Sequence, residues 1–425
     1  MKYVLVVDHF PESILDALKK YLAAHSQETL GILILTRNPE HYKVVKDDGI
    51  IIKVVMCSYG SDEEVKKVIE PYKNSIAGVI CRGDKQTQYL RKLVPHLERS
   101  VRVSSIKSLK TATNKRMMRE AFTEFYPEIT PKFMKINNDS ARTITAIRQQ
   151  VPFPVIIKPA SLASSLLIQS CKSEHELKPA LRNIFALLSD IYTREERNDE
   201  PEVIVEEYLE GDFYSIDAYV MEEGDIYFCP PVGYIPAQKL GINDFFLYKR
   251  FLPTTLSAKD IKVANKVVKK AVMSVGLRYS SAHVELIKTE NGWKVIELGP
   301  RLGRFRQTMY QKGYGINHSY NDLAIHLGAK PEIPDTLEQY CATYSIYPHQ
   351  EGILKELIGL EKLTRNPFIF AFKRFDKPGE HVRFAKNGGR ALAEFVVASP
   401  DKAEFDALST YIEENVKAVI SLEKS

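Results

Sequence analysis

The sequence predicts a multidomain chain of α/β and α+β class. It begins with a doubly wound parallel sheet, continues into a larger central unit and ends in a small α+β domain. Three observations predict this. The first hundred residues alternate apolar strand runs with helical patterns, as parallel strands joined by helices do. A long helical stretch then leads into a hairpin signal around Asn291-Gly292. From about Ala329 the pattern changes to short strands broken by Lys377-Pro378-Gly379 and Asn387-Gly388-Gly389, with a last helix near Lys402 to Val416. At 425 residues the chain is long enough for roughly two to four domains.

The N-terminal unit, residues 1–110, reads in order as strand Tyr3 to Val7, helix Glu12 to Ala24, strand Gly31 to Leu35, strand Ile50 to Met56, helix Glu63 to Tyr72 and strand Gly78 to Cys81. It carries no GxGxxG turn, so a nicotinamide dinucleotide is not expected there. Residues 111–330 form the central unit, with 150–208 as a smaller subdomain. After a polar stretch from Ser104 to Asn114, a helix is expected over Lys115 to Phe125. Prolines bound the buried strand Val155 to Lys158. A helix near Glu174 to Tyr192 and a charged loop precede the strand at Val203, which breaks into a turn at Gly211. Two more strands flank a loop-rich stretch from Cys229 to Thr254, and a helix from Lys259 to Val275 leads into hairpin arms Ala282 to Lys288 and Trp293 to Leu298. Residues 331–425 make the C-terminal domain.

Glu285 and Glu297 lie on the two arms of that hairpin. A three-residue loop, Glu290-Asn291-Gly292, with Gly292 left-handed at a bulge, places them opposite one another; a two-residue Asn-Gly turn places them on opposite faces. Opposed like charges are unfavourable on a sheet, and a divalent cation reverses the sign; magnesium takes one or two carboxylates together with phosphates. Lys158 ends an apolar strand, so its ammonium needs water or an anion. The loop that follows, Ser161-Leu162-Ala163-Ser164-Ser165, has small residues suited to backbone contact with phosphate but no glycine. Lys115, with Arg116 and Arg119, opens a helix where cations gain nothing from the dipole, which hints at an anionic ligand. Glu206-Glu207-Tyr208-Leu209 lies where a strand ends, with main-chain groups placed to read a base edge. Arg301, four residues past Glu297, is suited to a phosphate or carboxylate. Tyr234, Arg304 and Arg306 are candidates for a substrate pocket.

In this order the segments resemble the ATP-grasp superfamily of carboxylate-amine ligases over about residues 105 to 330. Asn114 to Arg119 resembles the first lysine helix, Pro154 to Pro159 the second lysine strand, and Val205 to Gly211 the adenine hinge; Ala282 to Leu286 and Val295 to Gly303 resemble the paired metal strands. The resemblance implies the ATP-grasp fold, with the 150–208 subdomain as a lid. It implies that Lys115, Lys158, Ser164 and Ser165 hold ATP phosphates, and that Glu206, Glu207 and the Tyr208-Leu209 backbone take the adenine. Glu285 and Glu297 would bind Mg2+, while Arg301, with Lys158, would steady an acyl phosphate. Phe213 stands near the usual ribose-binding acid, leaving Glu210 or Asp217 to replace it. Gly299 stands where the family has a metal-binding asparagine, and Arg304 replaces a glycine. The tail is similar to that of L-amino-acid ligases and carnosine-synthase-like members, which implies amide formation between amino acids or peptides and a homodimer. A biotin-carboxylase-like carboxylase and a non-catalytic nucleotide sensor are the other readings.

The 59 basic and 54 acidic residues are interleaved, for a net charge of +5, so neither nucleic acid nor a charged surface is indicated as partner. Five scattered cysteines form no zinc or disulfide spacing and fit a reducing cytoplasm. No apolar run approaches a membrane span or an export signal.

Overall fold

The computed structural model describes residues 1–42, 49–163, 165–222, 224–375 and 377–422. The N-terminal sheet has four parallel strands in the order Ile52–Met56, Leu30–Thr36, Lys2–Val7, Ile76–Ile80. Val4, Leu5, Val6 and all of Leu30–Thr36 are buried, as the near-continuous apolar runs of a sheet covered on both faces require. One cover is the helix Ser13–Ala24; another is His318–Leu327, which reaches back from the far side of the chain to bury Tyr320, Leu323 and Ala324 against the same core.

Between this unit and the centre, the polar stretch expected at Ser104 to Asn114 is instead a helix, Ile106–Thr113. Ser105 caps it by accepting from the Ser108 amide, and Leu109 and Ala112 supply its buried side. Asn114 closes that helix and opens the next, Lys115–Phe125, by accepting from the Met117 amide.

The subdomain expected as a lid is a four-stranded antiparallel sheet in the order Phe133–Ile136, Val203–Glu207, Val155–Pro159, Gln169–Cys171, backed by helices Ala141–Gln150 and Glu174–Arg194. It therefore starts at Phe133, earlier than the expected residue 150. Its core is Ile147, Val155, Ile157, Leu177, Leu181, Ile184 and their neighbours.

The largest sheet runs from the hairpin arms Gly292–Gly299 and Ser280–Thr289 through Asp212–Val220, Val232–Pro236 and Leu247–Leu252 to Tyr340–Ile346, Ala393–Ser399 and Ile369–Arg374. The stretch read as loop-rich thus holds two strands. The tail does not stand apart: Tyr340–Ile346 pairs directly with Leu247–Leu252, so one continuous sheet joins the central unit to the C-terminal one. A small sheet of His381–Val382, Gly352–Ile358 and Lys417–Ser421, with helix Lys402–Asn415, packs on its end. No helix among the described residues is long and apolar enough to cross a membrane.

Candidate active site

A cleft lies between the lid sheet and the large sheet. Into it project Lys115, Lys158, Ser165, Glu206, Glu207, Tyr208, Leu209, Glu285, Glu297 and Arg301. The fold thus brings together ten of the twelve residues expected to bind nucleotide or metal or to act in catalysis, and the pocket candidates Tyr234, Arg304 and Arg306 line the same cleft. Of the other two, Ser164 lies outside the described residues, and Asp217 is not in the cleft.

The carboxylate pair is opposed, but not by the expected turn. Thr289 pairs with Gly292, so the loop is two residues, Glu290-Asn291. The Thr289 hydroxyl closes it by accepting from the Asn291 amide at 3.2 Å and donating to the Gly292 carbonyl at 2.7 Å, with Gly292 at φ +105°. That register alone would put Glu285 and Glu297 on different faces. A bulge at Ile296, where the pairing shifts between Glu285 and Leu286, turns it by one residue and sets Glu285 against Glu297. The Arg119 guanidinium fills the bulge, donating to the Ile296 carbonyl at 2.5 Å.

Each cation at this end meets a carboxylate. Lys115 is buried; its ammonium lies 3.0 Å from Glu297 and donates to the Leu162 carbonyl of the lid loop at 2.7 Å. Lys158 lies 2.7 Å from Glu206, whose other oxygen accepts from Arg119 at 2.8 Å. All three are buried. Burial, reinforced by Arg119 and Lys115, lowers the Lys158 ammonium to about 8 despite Glu206. Burial pushes Glu206 up, but Arg119 and Lys158 overcome it and hold the carboxyl at about 2. Both oxygens of Glu206 are therefore engaged, so the side chain aims Lys158 and does not read a base. The Tyr208 amide is also engaged, donating to the Pro154 carbonyl at 2.9 Å, and Glu207 accepts from the Lys132 amide at 3.0 Å.

Arg301 forms a fork on Asp84, with Nε and Nη2 at 3.1 and 3.2 Å from its two oxygens. Burial would raise the Asp84 carboxyl, but Arg301 holds it below its usual value. Asp84 opens the helix Asp84–Leu93 at the carboxyl end of the strand Ile76–Ile80. It was missed in the sequence; its place just past a parallel strand is the signal that could have flagged it. Gly299 lies against Arg301: a Cβ there would stand 3.3 Å from the guanidinium carbon, a tight contact that a shift of a few tenths of an ångström would relieve.

Asp217 is wholly buried beneath the sheet. It accepts from His283 Nδ1 at 2.6 Å, His318 Nε2 at 3.0 Å and the Gly303 amide at 2.9 Å, so it has no face for a ribose. Against burial, these donors hold it well below the carboxylate range. Asp217 instead orients His283, whose Nε2 faces Glu285 at 3.4 Å. Burial pushes Glu285 up, but His283, with Arg301 and Arg250, outweighs this and holds its carboxyl below the usual value. Gly303 is required by this packing, since a Cβ would lie 2.5 Å from His283 Nδ1.

The lid loop is anchored, not free-standing. Ser165, at φ +62°, donates to the Phe245 carbonyl at 3.0 Å, and the Leu167 amide donates to the Lys386 carbonyl at 3.2 Å. Asp244, fully buried, accepts from the Ala385 and Lys386 amides at 2.6 and 3.0 Å and so fixes the tail segment that receives the loop.

Residues 151–309 match the family model described as the ATP-grasp domain. An uncharacterized protein, y4rH, of Sinorhizobium fredii is 22% identical over 286 residues, covering 66% of this chain and 56% of that protein. A formate-dependent phosphoribosylglycinamide formyltransferase of a Sulfurovum species is 24% identical over 258 residues, covering 60% and 59%. This chain thus spans less than two thirds of the length of either relative. Among solved structures, an L-amino acid ligase from Bacillus licheniformis matches with a TM-score of 0.75 at 14% identity, over 99% of both chains. That likeness is one of fold.

Proposed function

Because the chain carries an ATP-grasp domain in an ATP-grasp fold, we propose that it is an ATP-dependent carboxylate-amine ligase that activates an acid as an acyl phosphate. The observation that carries the reading is the opposed pair Glu285 and Glu297, set in one cleft with Lys115, Lys158 and Arg301. Two facing carboxylates repel unless a cation lies between them. No group of three or more metal-binding side chains occurs among the described residues, and two carboxylates completed by phosphate oxygens suit magnesium.

Glu285 and Glu297 would hold Mg2+, which offsets phosphate charge when bound. Lys158, aimed by Glu206 and Arg119, meets the phosphates from the lid side, and Lys115 meets them from the floor, exchanging Glu297 for phosphate oxygens. With the Tyr208 amide engaged, the Leu209 main chain is left to read the adenine edge. The γ-phosphoryl group passes to the substrate carboxylate as the β–γ bridging bond breaks and ADP leaves. The amine then attacks the acyl carbon, the C–O bond to phosphate breaks, and the amine loses a proton. Arg301, held by Asp84, is placed to steady the negative charge that develops. The chain works by position and charge, and no protein nucleophile is involved.

The test is ADP release with paired pools of carboxylic acids and amines, with and without bicarbonate. Release that needs both an acid and an amine supports the ligase. Release that needs bicarbonate alone favours a carboxylase, and ATP binding without release under any pool favours a sensor.

A further inference from the structure

Past Glu285 the cleft changes character. Arg250, Arg304 and Arg306 converge there around two rings. Tyr234 lies between two of them, its centroid 6.0 Å from the Arg250 guanidinium and 5.5 Å from that of Arg306. Phe305 lies between the other pair, at 5.5 Å from Arg250 and 4.9 Å from Arg304. The rings fix the guanidinium planes but carry no net charge to neutralise them.

Acids are few here. Glu394, buried, pairs with Arg304 at 2.6 Å. Arg306 is fully buried and 3.7 Å from Asp217, but that carboxylate is shared with two histidines, so Arg306 makes its own bonds to the hydroxyls of Ser215 and Tyr234, each at 2.8 Å. Its Nε has no hydrogen-bond partner. Arg250 bonds to the Leu247 carbonyl at 3.3 Å and the Ser345 hydroxyl at 3.2 Å, both neutral. Burial, with the neighbouring Arg306 and Arg304, outweighs the pull of Tyr234 and Glu285 and lowers its guanidinium below the usual value. A partly buried guanidinium bound only by neutral acceptors gains most from a carboxylate, which matches its planar fork.

Resting on the ligase reading above, we propose that this end of the cleft binds a spectator carboxylate. One of the two substrates carries a carboxylate that Arg250 and Arg304 grip without activating it. Arg306 stands behind them and fixes Tyr234. The carboxylate gives Arg250 a charged acceptor where its hydrogen bonds now go to neutral groups. Its source is either a second carboxylate on the acid to be activated or the carboxylate of an amino-acid amine.

Calorimetric titration of the full chain with succinate, glutarate, aspartate, glutamate and alanine tests this, with glutaramide and O-phosphoserine as contrasts. We expect at least one carboxylate to bind, glutaramide to fail, and the Kd to rise roughly tenfold or more in both Arg250→Gln and Arg304→Gln, with ATP binding unchanged. Arg304 is largely exposed, so its variant keeps the test alive should Arg250→Gln fold poorly. ADP release with a dicarboxylate plus ammonia would place the spectator group on the acid; release with butyrate plus an amino acid would place it on the amine. Binding that is equal for glutaramide, unchanged in both variants, absent for every carboxylate or confined to O-phosphoserine overturns the proposal. Carboxylate binding that is lost in the variants, with ADP released from no pair of substrates, upholds the anion site and counts against the ligase reading alone.

Discussion

The two ends of the cleft differ in how fully their cations are paired. At the end proposed for the nucleotide, Lys115 faces Glu297, Lys158 and Arg119 face Glu206, and Arg301 faces Asp84. At the end proposed for the substrate, Arg304 pairs with Glu394, but Arg250 hydrogen-bonds only neutral groups and Arg306 shares one acid with two histidines. A triphosphate arrives with magnesium, so its site can be nearly neutral beforehand and simply exchange partners. A carboxylate arrives alone, so its site must hold unmatched positive charge. A buried ion pair aims a side chain while adding little net stability; an unmatched guanidinium keeps its capacity to bind.

The largest effect should come from breaking the metal pair. Glu297→Gln is expected to lower ADP release by about a thousand-fold with little change in Tm, since Glu297 is partly exposed. Unaltered magnesium-dependent turnover would remove the pair from the site. Lys158→Met should cost about a hundred-fold in kcat/KM for ATP and leave Glu206 with Arg119 alone. An equal loss in Tm-matched Glu206→Gln would support Glu206 as the residue that aims the lysine.

Asp84→Asn tests the third pair. It keeps shape but loosens Arg301, and kcat should fall roughly tenfold with KM for ATP little changed. A change confined to KM would assign Asp84 to binding.

The smallest effect is a pH dependence. Lys158 loses its proton as pH rises through about 8, so ATP affinity should weaken above that value, and ATP binding there should take up a proton, visible by calorimetry in buffers of different ionisation heat. In Lys158→Met the uptake should vanish. The stability sign is the reverse of affinity. The folded value lies below the unfolded 10.5, so between the two the unfolded chain holds more protons, and this group's burial penalty is relieved as pH rises.

What the sequence made legible was local. Val155–Pro159 is an apolar run bounded by prolines, and Lys115–Phe125 is an amphipathic helix with its cap at Asn114; each carries its own signal. The parallel N-terminal sheet was readable for the same reason. What escaped depends on distant pairing. The bulge at Ile296 is set by the partner strand and by Arg119 from another helix, so Glu285 and Glu297 are opposed as expected but not by the expected turn. Asp217 was one of two acids, with Glu210, near enough to Phe213 to stand in for a ribose acid, but strand alternation turns it inward to His283 and His318. Glu206 looked like a base reader until Arg119 and Lys158 closed on it. Asp84 and Arg250 act across more than two hundred residues and across the sheet, respectively, where no local pattern reaches. The sheet shared by the central and C-terminal units escaped likewise, because Leu247–Leu252 finds its partner strand nearly ninety residues on.

The central claim is that a substrate carboxylate is phosphorylated before an amine displaces the phosphate. The direct measurement is isotope transfer: a pool of amino acids and dicarboxylic acids labelled with oxygen-18 in their carboxyl groups is turned over with ATP and amines, and the released phosphate is weighed by mass spectrometry. One labelled oxygen per phosphate released is the predicted result. Unlabelled phosphate during amide formation, or release of AMP and pyrophosphate, would contradict the account.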